Sequence, residues 1–290
     1  MTSSSLPKAV PIPLVQSIAP FAADTAGWLV DIWGVMHNGV RPFGAACDAC
    51  EHFRQQGGLV VLLSNSPRPR DSVAAQLDGI GVPRSSWDVI ISSGDVARSL
   101  IAAYAGRAIV HLGPERDLAI FSGIEVERVA PDRAEAVVCT GLFDDERETP
   151  ADYTETLSSC AARALPMICA NPDVAVERGG RIVYCAGAIA RAYEQLGGAV
   201  EYAGKPYLPI YELAFATLET LRSGSGVRAR LLAIGDGVNT DIAGAAAVDV
   251  RSVFVASGVH VMDGLDAAAL DALFPPGAPR PIAAMTGLAW

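Results

Sequence analysis

No stretch of this sequence reaches the ~18 apolar residues that a membrane-spanning helix needs. Met1 to Pro13 holds one lysine and three prolines and lacks the charged-then-apolar order of a secretory leader. The expectation is a cytoplasmic chain with no membrane partner. Basic residues are outnumbered, 22 Lys and Arg against 32 Asp and Glu, giving a net charge of −10. Such a balance argues against nucleic acid or an anionic membrane as the main partner. An anionic small substrate stays open, because a local cation and a lysine can outweigh the global charge. No internal repeat and no low-complexity segment is visible. Cysteines number six, and Cys47 and Cys50 form a lone C-x-x-C with no second pair. A redox or zinc role there is set against reduced, partly buried thiols, the reading that suits a cytosolic protein.

What is present is enough apolar residue for a real core: 51% hydrophobic and 19% charged over 290 residues. That excludes disorder and suits one large domain or two modest ones. The chain is organised around Trp28–Gly39. A short apolar-rich run through Trp28, Leu29 and Val30 ends on Asp31, and a glycine-bearing loop follows. A buried strand that delivers a carboxylate at its C-terminal tip is where open α/β sheets place their chemistry.

The remaining segments alternate strand with helix. After the loop, Phe43–Gln56 reads as a helix ending at Gly57-Gly58, and Leu59–Leu63 as a strand followed by Ser64-Asn65-Ser66-Pro67-Arg68-Pro69. A helix at Asp71–Asp78, a strand at Asp88–Ile91 and a helix at Gly94–Tyr104 follow. The pattern restarts with strands at Ala108–Leu112, Ala136–Thr140 and Pro166–Ala170. Helices at Glu115–Phe121, Thr149–Ala164 and Ala186–Leu196 lie among and after them. The last third has a helix at Leu208–Leu221, a strand at Arg228–Ile234 running into Gly235-Asp236-Gly237, and a helix at Thr240–Val248. It closes with a strand at Val250–Val255, a turn at Ser257-Gly258 and a proline-rich surface tail at Pro275–Pro281. Apolar strands alternating with helices mean a parallel sheet covered on both faces.

Three strands end in polar residues that suit a single chemistry, with Asp31 on the first, Ser64-Asn65 on the second and Asp236 on the strand near 230. Lys205 stands in Gly204-Lys205-Pro206 just before a helix. In a parallel sheet these strand ends share one edge. Two carboxylates there can hold Mg²⁺, which prefers oxygen ligands and phosphate. Ser64 and a helix N-terminus can hold phosphate oxygens, and Lys205 can neutralise nucleophile and phosphate. An aspartate attacking phosphorus gives an aspartyl-phosphate that water hydrolyses.

The set and its order resemble the haloacid dehalogenase superfamily. The matching motifs are Asp-x-x-Gly-Val at Asp31–Val35, apolar-Ser-Asn at Leu63–Asn65, Gly-Lys-Pro at Gly204–Pro206, and Gly-Asp-x-x-x-x-Asp at Gly235–Asp241. Between the second and third lies a long insertion whose Ala170-Asn171-Pro172-Asp173 resembles the cap of the class IIA branch of sugar-phosphate, nucleotide and 4-nitrophenyl-phosphate phosphatases. The resemblance implies a Rossmann-like, doubly wound parallel-sheet core made of residues 1–104 and 199–290. It also implies a mobile α/β cap at 105–198 that contributes to substrate choice. It implies Asp31, Ser64 and Lys205 as catalytic residues, and Asp31, Asp236 and the backbone carbonyl of Trp33 as Mg²⁺ ligands. Ser64, Asn65, Lys205, His37 and Asn171 would lie on the substrate, a small phosphorylated metabolite. Asp241 would brace the metal loop or start a helix. Oligomeric state stays open, although caps of this branch often mediate a homodimer.

The match breaks at one position. Phosphatases of the family carry Asp-x-Asp, the second aspartate protonating the leaving oxygen and then activating water. Here that residue is Trp33, whose indole N–H can do neither. Two expectations follow. One is a Mg²⁺-dependent phosphomonoester hydrolase acting through phospho-Asp31 and favouring good leaving groups. The other is a catalytically weak relative that binds a phosphorylated metabolite as a sensor or partner protein. A carbon–halogen or carbon–phosphorus bond is a poorer fit, given Asp236 and the lack of a Schiff-base lysine in the insertion. His37 could replace the lost proton shuttle, its ordinary pKa lying near neutrality, or be a plain loop histidine. Arg68 and Arg70 stand either near the site or as solvated loop charges. Asp144-Asp145-Glu146 reads as a solvated loop, and His52, His111 and His260 are assigned no role.

Overall fold

The fold is that of a computed structural model, which describes residues 10–178, 181–222, 228–256 and 265–290. In chain order its strands are β1 Gly27–Asp31, β2 Leu59–Ser64, β3 Val89–Ser92, β4 Ala108–Leu112, β5 Glu127–Arg128, β6 Ala136–Cys139 and β7 Met167–Cys169. They continue with β8 Ala175–Arg178, β9 Arg181–Tyr184, β10 Val200–Tyr202, β11 Leu231–Gly235, β12 Arg251–Val255 and β13 Ala283–Met285. The larger sheet has six strands in the order β13-β12-β11-β1-β2-β3, and all its pairings are parallel. A second sheet of five, β10-β7-β6-β4-β5, is also parallel. The strands β8 and β9 form an antiparallel pair.

The apolar runs that mark the central strands are explained by burial on both faces. Along β1, Trp28 and Val30 enter one apolar cluster and Leu29 the opposite one. Along β2, Val60 and Leu62 take the first side and Val61 and Leu63 the second, the period of two that a strand imposes. Trp28 stacks on Phe53 of the helix Gly44–Gln55, centroids 4.0 Å apart.

Chain direction across the larger sheet reverses at β1. From β1 the chain moves outward to β2 and β3, and it later returns to β11 on β1's other side before moving out to β12 and β13. A reversal of this kind leaves a crevice beyond the C-terminal strand ends, where open α/β sheets bind ligands. Asp31 ends β1, and Asp236 follows the last residue of β11.

The two sheets share an apolar cluster. Val96, Ala97 and Ile101 of the helix Ser93–Ile101 lie in it with Ile109 of β4, Val138 of β6 and Ile168 of β7. The expected boundary at 198/199 falls just before β10, which pairs with β7 in the smaller sheet. We propose that the chain re-enters the larger unit at Ala203-Gly204.

Several local expectations shift. The segment Arg228–Arg230 is a short 3-10 turn, and β11 starts at Leu231. The helix expected at Thr240–Val248 begins as a π turn, Val238–Ile242, and becomes α-helical only at Ala243–Ala247. Beyond the proline-rich stretch the chain is not a surface tail, because Ala283, Ala284 and Met285 are buried as the sheet's last strand. The expected turn at Ser257-Gly258 and His260 lie outside the described residues. Cys47 and Cys50 are buried free thiols, and burial pushes both thiols up.

Candidate active site

Lys205 bridges two carboxylates of the crevice. Its Nζ donates to Asp31 Oδ1 at 2.6 Å and to Asp241 Oδ1 at 2.7 Å, and the lysine is 2% exposed. Burial alone would lower its pKa, but the charges of Asp241 and Asp31 outweigh that, and the ammonium is held above its ordinary range. Asp31 is shifted the same way, with the opposite effect on its charge. Burial raises its carboxyl well above the usual range, Lys205 pulls it down, and Asp241 and Asp236 push it up again.

Lys205 is placed by a second layer of contacts. Its backbone N–H donates to Asn65 Oδ1 at 2.7 Å, and Asn65 Nδ2 donates back to the Lys205 carbonyl at 3.1 Å. The same Nδ2 donates to Asp173 Oδ1 at 2.8 Å, so one amide side chain joins the end of β2, the Gly-Lys-Pro turn and the inserted unit. Gly204 makes this possible. A Cβ there would lie 2.4 Å from Asn65 Oδ1 and 2.8 Å from Pro172. The Lys205–Pro206 peptide is cis. Burial raises the Asp173 carboxyl, with Asn65 and Lys205 opposing.

Asp31, Asp236 and Asp241 offer carboxylate oxygens that all lie within 4.8 Å of one another. Three carboxylates against the one ammonium of Lys205 leave a formal charge of −2 in a partly desolvated site. Like charges this close are costly without a counter-ion. An all-oxygen donor set of that charge fits a hard divalent cation. Asp241 was expected to brace the metal loop or start a helix. It does fold back on that loop, its Oδ2 accepting from Gly237 N at 3.0 Å. Its other oxygen nevertheless faces Lys205, inside the cluster.

The cavity bounded by these groups has a volume of about 260 Å³, and Asp31, Trp33, His37, Ser64, Asn65 and Lys205 line it. Asn171 and Asp236 line it as well. All eight residues expected in the site are therefore at one cavity. They are not equivalent there. Ser64 Oγ accepts from Ser66 N at 3.1 Å, which turns the loop after β2 over the cavity. Asn171 Oδ1 accepts from Asp173 N at 3.0 Å, a contact that folds its own loop. The Trp33 ring lies over Gly39, where a Cβ would come 2.5 Å from Trp33 Cη2 and where φ is +87°. It also meets the His37 ring edge-on at 5.3 Å.

His37 does not have the properties of a proton shuttle. It is 2% exposed, and burial lowers its pKa to about 4. Its Nδ1 accepts from Gly39 N at 2.9 Å, so the proton of the neutral ring sits on Nε2. A stability prediction follows. The unfolded imidazole binds its proton near pH 6.5 and the folded one only near 4. Between those values the unfolded chain holds more protons, so stability falls as pH drops from 6.5 to 4 and levels off below. The contribution is on the order of 2 kcal/mol after discounting the ring edge that faces the cavity. Urea unfolding at pH 6.5 and 4.5 should show wild type losing that much more than His37→Gln. Equal losses would contradict the assignment.

Several residues at the cavity had no expected role. Asp145 was expected in a solvated loop, but its side chain is only 10% exposed and pairs with Arg116 at 2.5 Å and Arg178 at 3.0 Å. Burial would raise that carboxyl, yet the Arg178 and Arg116 contacts outweigh it and hold it low. Asp117 is buried, and Arg68 lines the wall beside it. Arg70, by contrast, pairs with Asp95 at 3.2 Å. His111 is hydrogen-bonded to Thr140, 3.1 Å from Nε2 to Oγ1.

A crevice at the sheet's switch point, a strand-end aspartate, and a buried lysine between two carboxylates define a class. The chain belongs to the haloacid dehalogenase-like hydrolase family, whose model matches residues 28–127, with a second, HAD-hydrolase-like model matching 202–277. A haloacid dehalogenase-like hydrolase from Brucella suis 1330 is 45% identical, with 94% of this chain and 99% of that one covered and a TM-score of 0.85. The D-glycerol 3-phosphate phosphatase of Mycobacterium tuberculosis is 30% identical over 239 residues, 80% of this chain. This chain spans 63% of that relative's length. A glycerol phosphate phosphatase from the same organism, solved in complex with magnesium, shares the fold. Its TM-score is 0.64 at 23% identity over 90% of this chain and 74% of that one.

Proposed function

We propose that the protein is a Mg²⁺-dependent phosphatase of small phosphomonoesters that works through a phospho-Asp31 intermediate. The observation that carries this reading is the Lys205 bridge between Asp31 and Asp241, with Asp236 beside them. A nucleophile, its charge partner and an oxygen-rich cation site converge on one small cavity. The size fits, since about 260 Å³ lies below the range of drug-sized ligand sites, ~300–1,000 Å³. The mycobacterial relative is named for a small phosphorylated substrate, and the magnesium in the related structure suits the same donor chemistry.

In this mechanism an Asp31 carboxylate oxygen attacks phosphorus, the bond from phosphorus to the leaving oxygen breaks, and water later attacks the aspartyl-phosphate. Lys205 favours ionised Asp31 and offers positive charge to the phosphoryl oxygens. Ser64 and the loop after β2 hold the phosphate, and His37 offers Nε2–H as a neutral donor. Asp31, Asp236 and the Trp33 carbonyl would hold Mg²⁺, and Asp241 stands close enough to join them. When bound, the ion supplies two positive charges beside the carboxylates and the phosphate oxygens.

The leaving oxygen finds no carboxylic acid at the Trp33 position. General acid–base help is worth ~10²–10⁴-fold, and good leaving groups need least of it. Acetyl phosphate and 4-nitrophenyl phosphate should therefore exceed alkyl and sugar phosphates by a factor of that order in kcat/KM, which reports formation of the phosphoenzyme. Phosphate release with Mg²⁺ over such a panel, with Asp31→Asn as blank, tests both ideas. Equal kcat/KM values across leaving groups would remove the argument from Trp33. No release above the blank, with phosphate still raising the melting temperature, would move the assignment to a phosphometabolite-binding protein.

A further inference from the structure

Besides Lys205, the cavity is lined by three guanidinium groups, and they are not alike. Arg116 and Arg178 come from the inserted unit and share Asp145, with Arg178 Nη1 also 3.4 Å from that carboxylate. Arg68 comes from the loop after β2, four residues beyond Ser64. It makes no ion pair with a carboxylate among the described residues. Its Nη2 donates to a neutral amide, Gln76 Oε1, at 2.5 Å. It is half-buried, and burial lowers its pKa, with Asp117 opposing and Arg116 and Arg178 adding to the fall.

Arg68 lines the cavity with no carboxylate in ion-pair contact, Asp117 acting on it only at longer range, and a partly desolvated charge is costly when it is not closely paired. The loop that carries it is held in place. Gly94 N, at the start of the helix Ser93–Ile101, donates to Ser66 O at 2.9 Å, and Arg68 N donates to Ser66 Oγ at 3.3 Å. Gln76 fixes one edge of the guanidinium and leaves donors of the fork for a ligand. The acidic groups on this wall are accounted for in part: Asp145 is paired, and Asp117 interacts with Arg68 and Arg116. Glu177 of the β8–β9 pair also lines the cavity. The wall is thus mixed in sign, and Arg68 is the half-buried cation carried by the phosphate loop itself.

We propose that the substrate's organic half carries a second anionic group, of carboxylate type, that seats on Arg68 while the phosphate seats at Ser64 and Lys205. This rests on the phosphatase reading for the site but not on turnover. A planar carboxylate matches the guanidinium fork, which binds it bidentately. The substrate class is then a short phosphorylated acid rather than a phosphorylated alcohol, which sets this chain apart from a glycerol phosphate phosphatase.

3-Phosphoglycerate and glycerol 3-phosphate test it, since they differ by a carboxylate in place of a hydroxymethyl group. Calorimetric Kd values with Mg²⁺ on Asp31→Asn protein avoid any dependence on hydrolysis. The acid should bind at least ~30-fold tighter than the alcohol, the order of a charge-assisted bidentate contact. In Asp31→Asn with Arg68→Met the ratio should fall to within about threefold, and with Arg68→Lys it should lie between. A ratio near one with Arg68 present, or one unchanged without it, would overturn the proposal. Acetyl phosphate hydrolysis by the wild type is scored separately. Its failure would count against the phosphatase reading, while the binding ratio would still judge Arg68.

Discussion

Asp31→Asn is expected to lower phosphate release by at least ~10⁴-fold while leaving the metal-free protein at least as stable as the wild type. The two halves of this result have one origin. Asp31 is a buried carboxylate whose pKa burial raises, with Asp241 and Asp236 adding to the rise and Lys205 opposing it. A folded-state pKa above the unfolded value means the folded chain holds the proton more tightly. Its stabilising effect is therefore greatest at low pH and is lost as pH rises above the ordinary carboxylate range. At neutral pH the charge at this position is a burden that function requires. A neutral amide of the same shape removes the burden and the nucleophile together. Thermal melts in chelator, run beside a phosphate-release assay, check both halves. A variant that retained activity would dismiss Asp31 as nucleophile. One that lost activity and several degrees of melting temperature would make Asp31 a structural carboxylate.

Lys205→Met should be the opposite case, losing activity and stability together. Lys205 Nζ lies 2.6 Å from Asp31 and 2.7 Å from Asp241 with only 3% of its side chain exposed. Methionine fills similar volume but strands two buried carboxylates beside a third. Removing one partner from a buried pair costs ~3–5 kcal/mol, and for a chain of this size that is on the order of 10 °C in melting temperature. Mg²⁺ should recover part of the loss, because the three carboxylates remain and their mutual repulsion has grown. Adding Asp31→Asn to Lys205→Met should also recover part, since fewer charges are stranded. A double variant no more stable than Lys205→Met alone would show that the lysine stabilises through packing of its stem rather than through its charge.

The central strands were legible in the sequence because burial on both faces removes polar residues from them. Trp28–Asp31 and Leu59–Leu63 match β1 and β2 within a residue or two. The three-residue strands Val200–Tyr202 and Ala283–Met285 are too short to show any period, and they went unread. The pair Ala175–Arg178 and Arg181–Tyr184 had a signal that was missed, the Gly179-Gly180 that precedes a run holding Ile182, Val183 and Tyr184.

The candidate site divides in the same way. Asp31, Ser64, Asp236 and Lys205 stand at strand ends or in short motifs, where residue type and position speak for themselves. Asp145 could not be read, because its partners Arg116 and Arg178 are 29 and 33 residues away, and an acidic run looks solvated without them. Asp173 is held by Asn65 across 108 residues. Arg68 and Arg70 are two positions apart and chemically alike in the sequence. Only the fold gives Asp95 to one and leaves the other facing the cavity.

The central claim is that Asp31 becomes phosphorylated, and Trp33 makes this accessible to measurement. Without a base at that position, hydrolysis of the intermediate slows and the phosphoenzyme should accumulate. Protein mixed with acetyl phosphate and Mg²⁺, quenched in acid and treated with borohydride, would have any aspartyl-phosphate reduced to homoserine. Peptide mass spectrometry should then find homoserine at position 31, dependent on Mg²⁺ and on acetyl phosphate. Turnover with aspartate intact at 31, or with the modification at Asp236 or Asp241, would contradict the account.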